Sequence, residues 1–563
     1  MRLYAWPGIY VGVLRVVLKA NLLTAAALLA LVQAQPAASQ SSQTLRTIIE
    51  AGSLADLRWP DFSDYRQHLK NFYEPGGYAP VWVRSGQVTP QARALIGILQ
   101  QADRKGLHSD DYDGPRWEAR LARIAGAQEA ERDKFDAALT VCVMRYISDL
   151  HIGRVNPQHF TFGLSVEEKK YNLPDFLRQR LIDAADPAAA LNTVEPPFAG
   201  YQRTQAALVR YFDLAKQDDG EQLPVPAKTV APGTPYAGVP RLVRLLRLLG
   251  DLPGDAVLPE DTGTYSGPVV EAMKRYQRRH GLQADGRIGA QTVKSLNTPL
   301  GVRVRQLQLT LERWRWLPHD FPEPPIVVNL PEFKLRAMEG GKPVLEMNVI
   351  VGKAFGHKTP IFTDTMQYVV LRPYWNVTPT IQRSEIVPSI RKDRDYIAKK
   401  GFEVTTQRGE PVTSGTINDD VLEQLRTGKL AVRQKPGPKN SLGLVKLIFP
   451  NHYNVYLHST PAPELFSQTR RDFSHGCIRV EKPAELTAWA LRNNEGWDLE
   501  RIRKEMEGGR DNQQVNLTRK IPVLILYGTA IVDEAGSVFF FDDIYGLDAS
   551  LEKVLVKGYP YPG

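Results

Sequence analysis

Cys477 lies in the stretch RRDFSHGCIRVEKP (470–483) and is one of only two cysteines in 563 residues. A thiol ordinarily ionises near ~8.5, so at neutral pH little of it is thiolate unless a base or a positive field assists. Imidazole is the usual assistant. His475 sits two residues before the sulfur, in what reads as a tight turn that aims its ring elsewhere. His458 ends the strand NVYLH, and a neighbouring strand can carry it to the thiol. His458 is therefore the favoured base, ahead of His475. Gly476 lacks a Cβ and can adopt the turn that points consecutive N–H groups at one spot. Such amides stabilise the oxyanion formed when a thiolate attacks a carbonyl. Ser474, His475, Gly476 and Cys477 thus supply a nucleophile, amide donors and a polar turn. The chemistry this allows is acyl transfer through a thioester.

The other cysteine does not explain the first. Cys142 lies in ALTVCVMRYISDL, an apolar run at helical spacing, where a thiol behaves as a small buried hydrophobe. It is 335 residues away in sequence, so Cys477 reads as a free thiol rather than half of a disulfide. The first residues bear on this. Arg2, Arg15 and Lys19 precede the apolar run NLLTAAALLALV (21–32), and VQA at 32–34 offers small residues for cleavage. This is the pattern of a secretory signal over 1–34. This run of twelve residues falls short of the ~20 a spanning helix needs. An uncleaved anchor in the inner membrane is the alternative, and either way the bulk of the chain is expected in the periplasm. A free thiol in an oxidising compartment calls for a reason.

Composition bounds the rest. Hydrophobic residues make up 43% and charged residues 24%, which is ordinary globular usage and argues against disorder. The length implies three or four domains. The net charge is +9, of which the three basic residues before position 35 account for 3, leaving a mild +6. In an exported chain that excess is either ordinary solubilising charge or suited to an acidic extracytoplasmic polymer, rather than to nucleic acid.

The elements that must hold the site follow in order. After a polar linker, 44–225 reads as a helical scaffold. In TPQARALIGILQQADRKGL, Thr89 caps, Pro90 takes the first helical position, and Leu95, Ile98, Leu99 and Ala102 form an apolar stripe. Its histidines, His68, His108, His151 and His159, are scattered and form no constellation. A second unit spans 239–298. From about 324 the period changes to two: Phe333, Leu335 and Ala337, then Leu345, Met347, Val349 and Val351, flank Gly340 and Gly341 as a hairpin. Further strands are expected at 365–377, 444–450, 454–458 and 521–532. The charged, then Pro- and Gly-rich block 380–440 interrupts them and reads as an insertion covering a cleft.

Two resemblances appear on these residues. VVEAMKRYQRRHGLQADGRIGAQTVKSLN, with Asp285, Gly286, Gly289 and Thr292, resembles the small three-helix peptidoglycan-binding repeat. His458 and Ser459, followed by fourteen residues and then Ser474-His475-Gly476-Cys477, resemble the signature of the YkuD-type L,D-transpeptidases. VNLPEFKLRAMEGGKPVLEMNVIVG, PYWNVTPTI and DIYGLD (543–548) look like the long, YcbB-like form of that family. Arg479 departs from the asparagine that many members carry two positions after the cysteine.

The resemblance implies a multidomain α+β architecture: a helical scaffold, a three-helix peptidoglycan-binding-like domain, and a β-rich catalytic domain over 324–535 with a cap at 380–440. A C-terminal extension, 536–563, would follow. It implies that Cys477 attacks a tetrapeptide stem after its third residue, meso-diaminopimelate, releasing D-alanine, and that another stem's amine takes the thioester. His458 would be the base, and Ser459 would orient it through its carbonyl. The amides of Gly476, Cys477 and His475 would hold the oxyanion. Arg479, Trp375, Asn376 and Ser474 would contact substrate. No cofactor or metal is implied; peptidoglycan stems and glycan are the expected partners, with other wall synthases and carbapenems as further ones. The competing readings are an L,D-carboxypeptidase that gives the thioester to water, transfer to a lipoprotein lysine, and a wall-binding structural protein. A papain-like protease lacks its signature here.

Overall fold

The computed structural model describes residues 43–561 apart from 161, 170, 259–262, 321–324, 355 and 413–416. The signal or anchor expected over 1–34 lies outside the described residues. Among those residues, no helix is long and apolar enough to cross a membrane.

The scaffold packs helices around the buried Glu129–Ile152, which carries Cys142 in its core. Thr89 caps Pro90–Gln100 as expected, its hydroxyl accepting from the Ala92 amide at 3.1 Å. The buried stripe there is Ala92, Leu95, Ile96 and Leu99, and Ala102 is buried just past the helix end. Ile96 takes the place expected for Ile98, because the core wraps that side of the helix. A helix not anticipated from the sequence, Leu300–Arg315, joins the units. Its fully buried Glu312 accepts from the backbone amides of Arg154 (2.5 Å) and Val155 (3.1 Å), locking it to the scaffold.

In the three-helix unit, Gln277 is 1% exposed and clasps the turn. Its amide donates to the Arg287 carbonyl (2.8 Å) and its oxygen accepts the Gly286 amide (2.8 Å). That clasp is the physical content of the YQ…DG spacing.

The catalytic region is a closed sheet. Its strands are β1 (Ile326–Asn329), β2 (Lys334–Glu339), β3 (Lys342–Gly352), β4 (Phe362–Leu371), β5 (Val445–Ile448), β6 (Leu457–His458), β7 (Asp472–Ser474), β8 (Ile478–Val480) and β9 (Gln513–Leu526). The order is β7-β3-β8-β6-β5-β4-β9-β1-β2, and β2 pairs back onto β3, closing the ring. β2 and β3 form the expected hairpin, Leu335 facing Met347, around Gly340 and Gly341 at φ 54° and 75°. Beyond β2, β7 continues along the same edge of β3: Val351 donates to Arg471 where Val349 donated to Phe333. Inward residues such as Leu335, Val349, Leu457 and Ile478 fill the core, as alternation in a closed sheet requires.

The strand expected at 365–377 is two strands. β4 ends at Leu371, and Arg372 (φ 47°) and Pro373 turn the chain out. Trp375–Asn376 then joins a separate three-stranded sheet with Phe402–Thr406 and Leu430–Gln434. With the helices between 379 and 427 these strands enclose their own core, including Val377, Ile390, Leu425 and Val432, so the cap is an independently packed unit. The chain end returns to the scaffold, where Tyr559 and Tyr561 donate to Asp64 and Asp111.

Candidate active site

β6 and β8 run parallel, with Leu457 opposite Ile478 and His458 opposite Arg479. Leu457 and Ile478 point into the core, so alternation sends Tyr456, His458, Cys477 and Arg479 to the outer face. One strand pairing thus brings the two segments together, with Cys477 flanking Tyr456 and His458 flanking Arg479. On the other side of β6, Lys446 of β5 faces His458.

His458 is 4% exposed, and its Nδ1 donates to the Ser459 carbonyl at 2.6 Å. That bond keeps the ring proton on Nδ1 and leaves Nε2 unprotonated. Burial, then the charge of Arg479, pushes the imidazole down to about 3, against the carbonyls of Ser459 and Leu442. Burial also pushes the Cys477 thiol up, while hydrogen bonds from Tyr456 and the charge of Arg479 pull it down. At neutral pH the resting pair is therefore neutral thiol and neutral imidazole. The charge of Arg479 favours the thiolate form of Cys477. Among the described residues Arg479 has no carboxylate partner, and its Nε is buried without a hydrogen bond. The thiol meanwhile rests against the Asn454 carbonyl, 3.7 Å away.

The turn before the sulfur differs from the sequence expectation. Ser474, expected to touch substrate, is 3% exposed and internal to the turn. Its hydroxyl donates to the Cys477 carbonyl (2.6 Å) and accepts the Gly476 amide (3.1 Å). The Gly476 amide is therefore not free to hold an oxyanion, because a buried N–H takes the nearest acceptor. Gly476 is required for its φ of 119°. The tight approach belongs to Gly352, where a Cβ would lie 1.9 Å from the His357 carbonyl oxygen and 3.0 Å from the Gly476 Cα.

His475 is turned toward the cap. Its Nε2 bonds Glu385 Oε1 of the cap at 2.6 Å, and its ring meets that of His357 at 4.7 Å. Glu385 lies in the π-helical turn Gln382–Ile386, so the cap grips the catalytic loop here. Trp375 and Asn376 make their contacts inside the cap: Trp375 packs on Phe402, and Asn376 pairs with Arg433.

Sequence reasoning missed the supports. The Thr359 hydroxyl donates to the Gly476 carbonyl (2.8 Å) and accepts the Gly352 amide (2.9 Å). Tyr545, inside DIYGLD, accepts the Thr359 amide (3.2 Å) and donates to the Gly352 carbonyl (2.6 Å). Asp543 of the same motif takes the Tyr527 hydroxyl at 2.6 Å and the amides that open helix Leu547–Leu555. Asn440, 1% exposed, bonds the Pro373 and Lys435 carbonyls and fixes the loop that brings Leu442 to His458. Gly443 (φ 64°) lies against Ser459, where a Cβ would meet Oγ at 2.5 Å. A polar run such as KNSLG was the available signal.

Three family models match in chain order: a scaffold domain over 67–208, a peptidoglycan binding domain over 236–296, and an L,D-transpeptidase catalytic domain over 324–515. The chain carries a YkuD-type L,D-transpeptidase catalytic domain, in the long, YcbB-like arrangement. The third match stops inside β9, whose second half, Ile521–Leu526, pairs with β4 and β1. A curated Haemophilus influenzae protein named as an L,D-transpeptidase is 30% identical over 260 residues, 45% of this chain and 51% of that protein. The chain thus spans about half the length of that relative. A crystal structure of an L,D-transpeptidase (residues 123–326) from Xylanimonas cellulosilytica matches at 16% identity, covering 54% of this chain and 98% of that one. Its TM-score is 0.16.

Proposed function

We propose that the protein is a peptidoglycan L,D-transpeptidase that links the third residues of two stem peptides. The observation that supports the reading is the β6–β8 pairing, which sets His458 beside Arg479 on the face that also carries Cys477, with the His458 Nδ1 proton held by the Ser459 carbonyl. His458 takes the Cys477 proton as sulfur attacks the carbonyl of the donor's third residue, meso-diaminopimelate. The C–N bond to D-alanine breaks, and the imidazolium protonates the departing amine. The side-chain amine of a second stem then attacks the thioester, giving its proton to His458. The C–S bond breaks, and the thiolate recovers the proton. The thioester conserves acyl energy, so no nucleotide is consumed outside the cytoplasm. The cap, held at Glu385, favours amine over water by limiting solvent. Substrate and reaction together imply export to the periplasm, with the first 34 residues as signal or anchor. Other wall synthases are proposed neighbours, and carbapenems are proposed acylators of the same thiol.

The test incubates purified protein with disaccharide tetrapeptide and reads products by mass spectrometry. Dimers that vanish with Cys477→Ser are expected. Tripeptide monomers alone would instead make the protein an L,D-carboxypeptidase.

A further inference from the structure

A cavity of about 410 Å³ opens where three segments meet. They are the scaffold helix Ala199–Gln217, the three-helix domain through Leu249–Asp251 and helix Pro268–Arg279, and the turn at Ala535–Ser537. Four guanidinium groups line it: Arg210, Arg275, Arg278 and Arg279. The single lining carboxylate, Asp251, is 3% exposed and bound to Arg279 through Nε and Nη2. Among the described residues, Arg210, Arg275 and Arg278 have no carboxylate at ion-pair distance, and all three are exposed.

Besides the Arg279–Asp251 pair, three of the four donate to backbone carbonyls. Arg275 donates to Asp251 (2.9 Å), Arg279 to Val538 (2.8 Å) and Arg210 to Gly536 (3.1 Å). Such contacts orient a guanidinium without neutralising it. The walls are fixed, since Tyr211, Val538 and Phe540 share one buried cluster and His280 stacks on Phe540. Three unneutralised cations converging on one concavity repel each other, and an anion relieves that repulsion. The guanidinium fork matches paired carboxylate oxygens. The concavity is open to solvent, and its volume is that of a small-ligand site.

We propose that this cavity is a second binding site, distinct from the Cys477 cleft, for a short acidic peptide held through two or more carboxylates. Resting on the wall reading above, its ligand is an uncrosslinked stem, held by the three-helix domain while the catalytic domain works on another. A phosphate group shares the fork chemistry, so the test carries an arm for it.

Full-length protein is alkylated at Cys477 with iodoacetamide to block the catalytic cleft, then titrated calorimetrically with disaccharide tetrapeptide and, separately, inorganic pyrophosphate. Tetrapeptide binding that weakens with added salt is expected. Arg275→Ala/Arg278→Ala should weaken it by about 10-fold or more, and Arg275→Lys/Arg278→Lys should weaken it less. Circular dichroism verifies that the variants fold. Unchanged affinity in the alanine pair, or no binding at all, overturns the site. Binding of pyrophosphate alone overturns the carboxylate assignment. Dimer formation by unalkylated protein is read in parallel: dimers without arginine-dependent binding discard this site only, whereas binding without Cys477-dependent dimers discards the transferase reading only.

Discussion

Cys142 and Cys477 are the same side chain in two environments. Burial raises the pKa of both thiols. Cys142 is sealed in the scaffold core at 0% exposure, and a buried thiol without access is inert whatever its surroundings. Cys477 is reachable, and Tyr456 and Arg479 work against its desolvation. Reactivity here is thus a matter of access and polar company rather than of a thiolate standing ready.

Exchanging each thiol in turn gives the largest expected effect. Cys477→Ser should abolish dimer formation, a loss of ~10³-fold or more in rate, with little change in unfolding midpoint. Cys142→Ser should do the reverse, costing about 1 kcal/mol of stability in a denaturant titration with the rate retained. If both variants lost activity equally, the contrast between the two sites would fail. His458→Ala removes the base and should lower the acylation rate by about 10²- to 10⁴-fold, measured by burst kinetics. His475→Ala should cost far less, because that ring faces the cap.

The pH profile of alkylation sharpens the contrast from the electrostatic side. Below its pKa a thiol's alkylation rate climbs tenfold per pH unit with the thiolate fraction. Because burial raises the Cys477 pKa, the climb should continue beyond the range of a free thiol. His458, held at about 3, is already neutral across pH 5–9 and should add no inflection there. Arg479 lowers both groups. Arg479→Gln should therefore push the thiol higher and slow alkylation at pH 7.5 by about 10-fold. A limb near pH 6.5 would show an ordinary imidazole and refute the neutral pair.

The pattern of what was legible follows range. His458, Ser459 and Ser474-His475-Gly476-Cys477 could be singled out because their types and interval match a family signature, although the chain between them leaves β6, runs along β3 as β7 and only then returns as β8. The β2–β3 hairpin could be read because alternation and two glycines are local signals. Closure of the ring through β3, and β7 prolonging its edge, could not, since both depend on pairings far apart in the chain. TMQYVVLRPYWNV read as one strand because its apolar character continues across Arg372 and Pro373, where the backbone actually turns into the cap. Thr359 and Tyr545 act through backbone carbonyls. Nothing in a hydroxyl's position announces which carbonyl it will meet.

Tyr545 offers a smaller test of those supports. Tyr545→Phe keeps the ring and removes the hydroxyl that joins Thr359 to Gly352. About 1 kcal/mol of stability should be lost. A several-fold drop in kcat with KM unchanged is expected if the hydroxyl positions the Gly476 turn. Loss of stability without the kcat effect would make the contact purely structural.

The smallest effect concerns the roof that Cys142 lacks. Glu385 and His475 join the cap to the catalytic turn by one partly exposed hydrogen bond, and such pairs contribute at most about 1 kcal/mol. Glu385→Gln keeps the length and a hydrogen-bonding group but removes the charge, so the cap should loosen without leaving. KM for the tetrapeptide should rise about two- to fivefold. The fraction of thioester lost to water should rise with it, because a looser cap admits solvent to the acyl-enzyme. The tripeptide-to-dimer ratio reads that partition directly. A higher KM with an unchanged ratio would mean that the cap helps seat the donor but does not guard the thioester, and exclusion of water would then have to come from the acceptor stem itself.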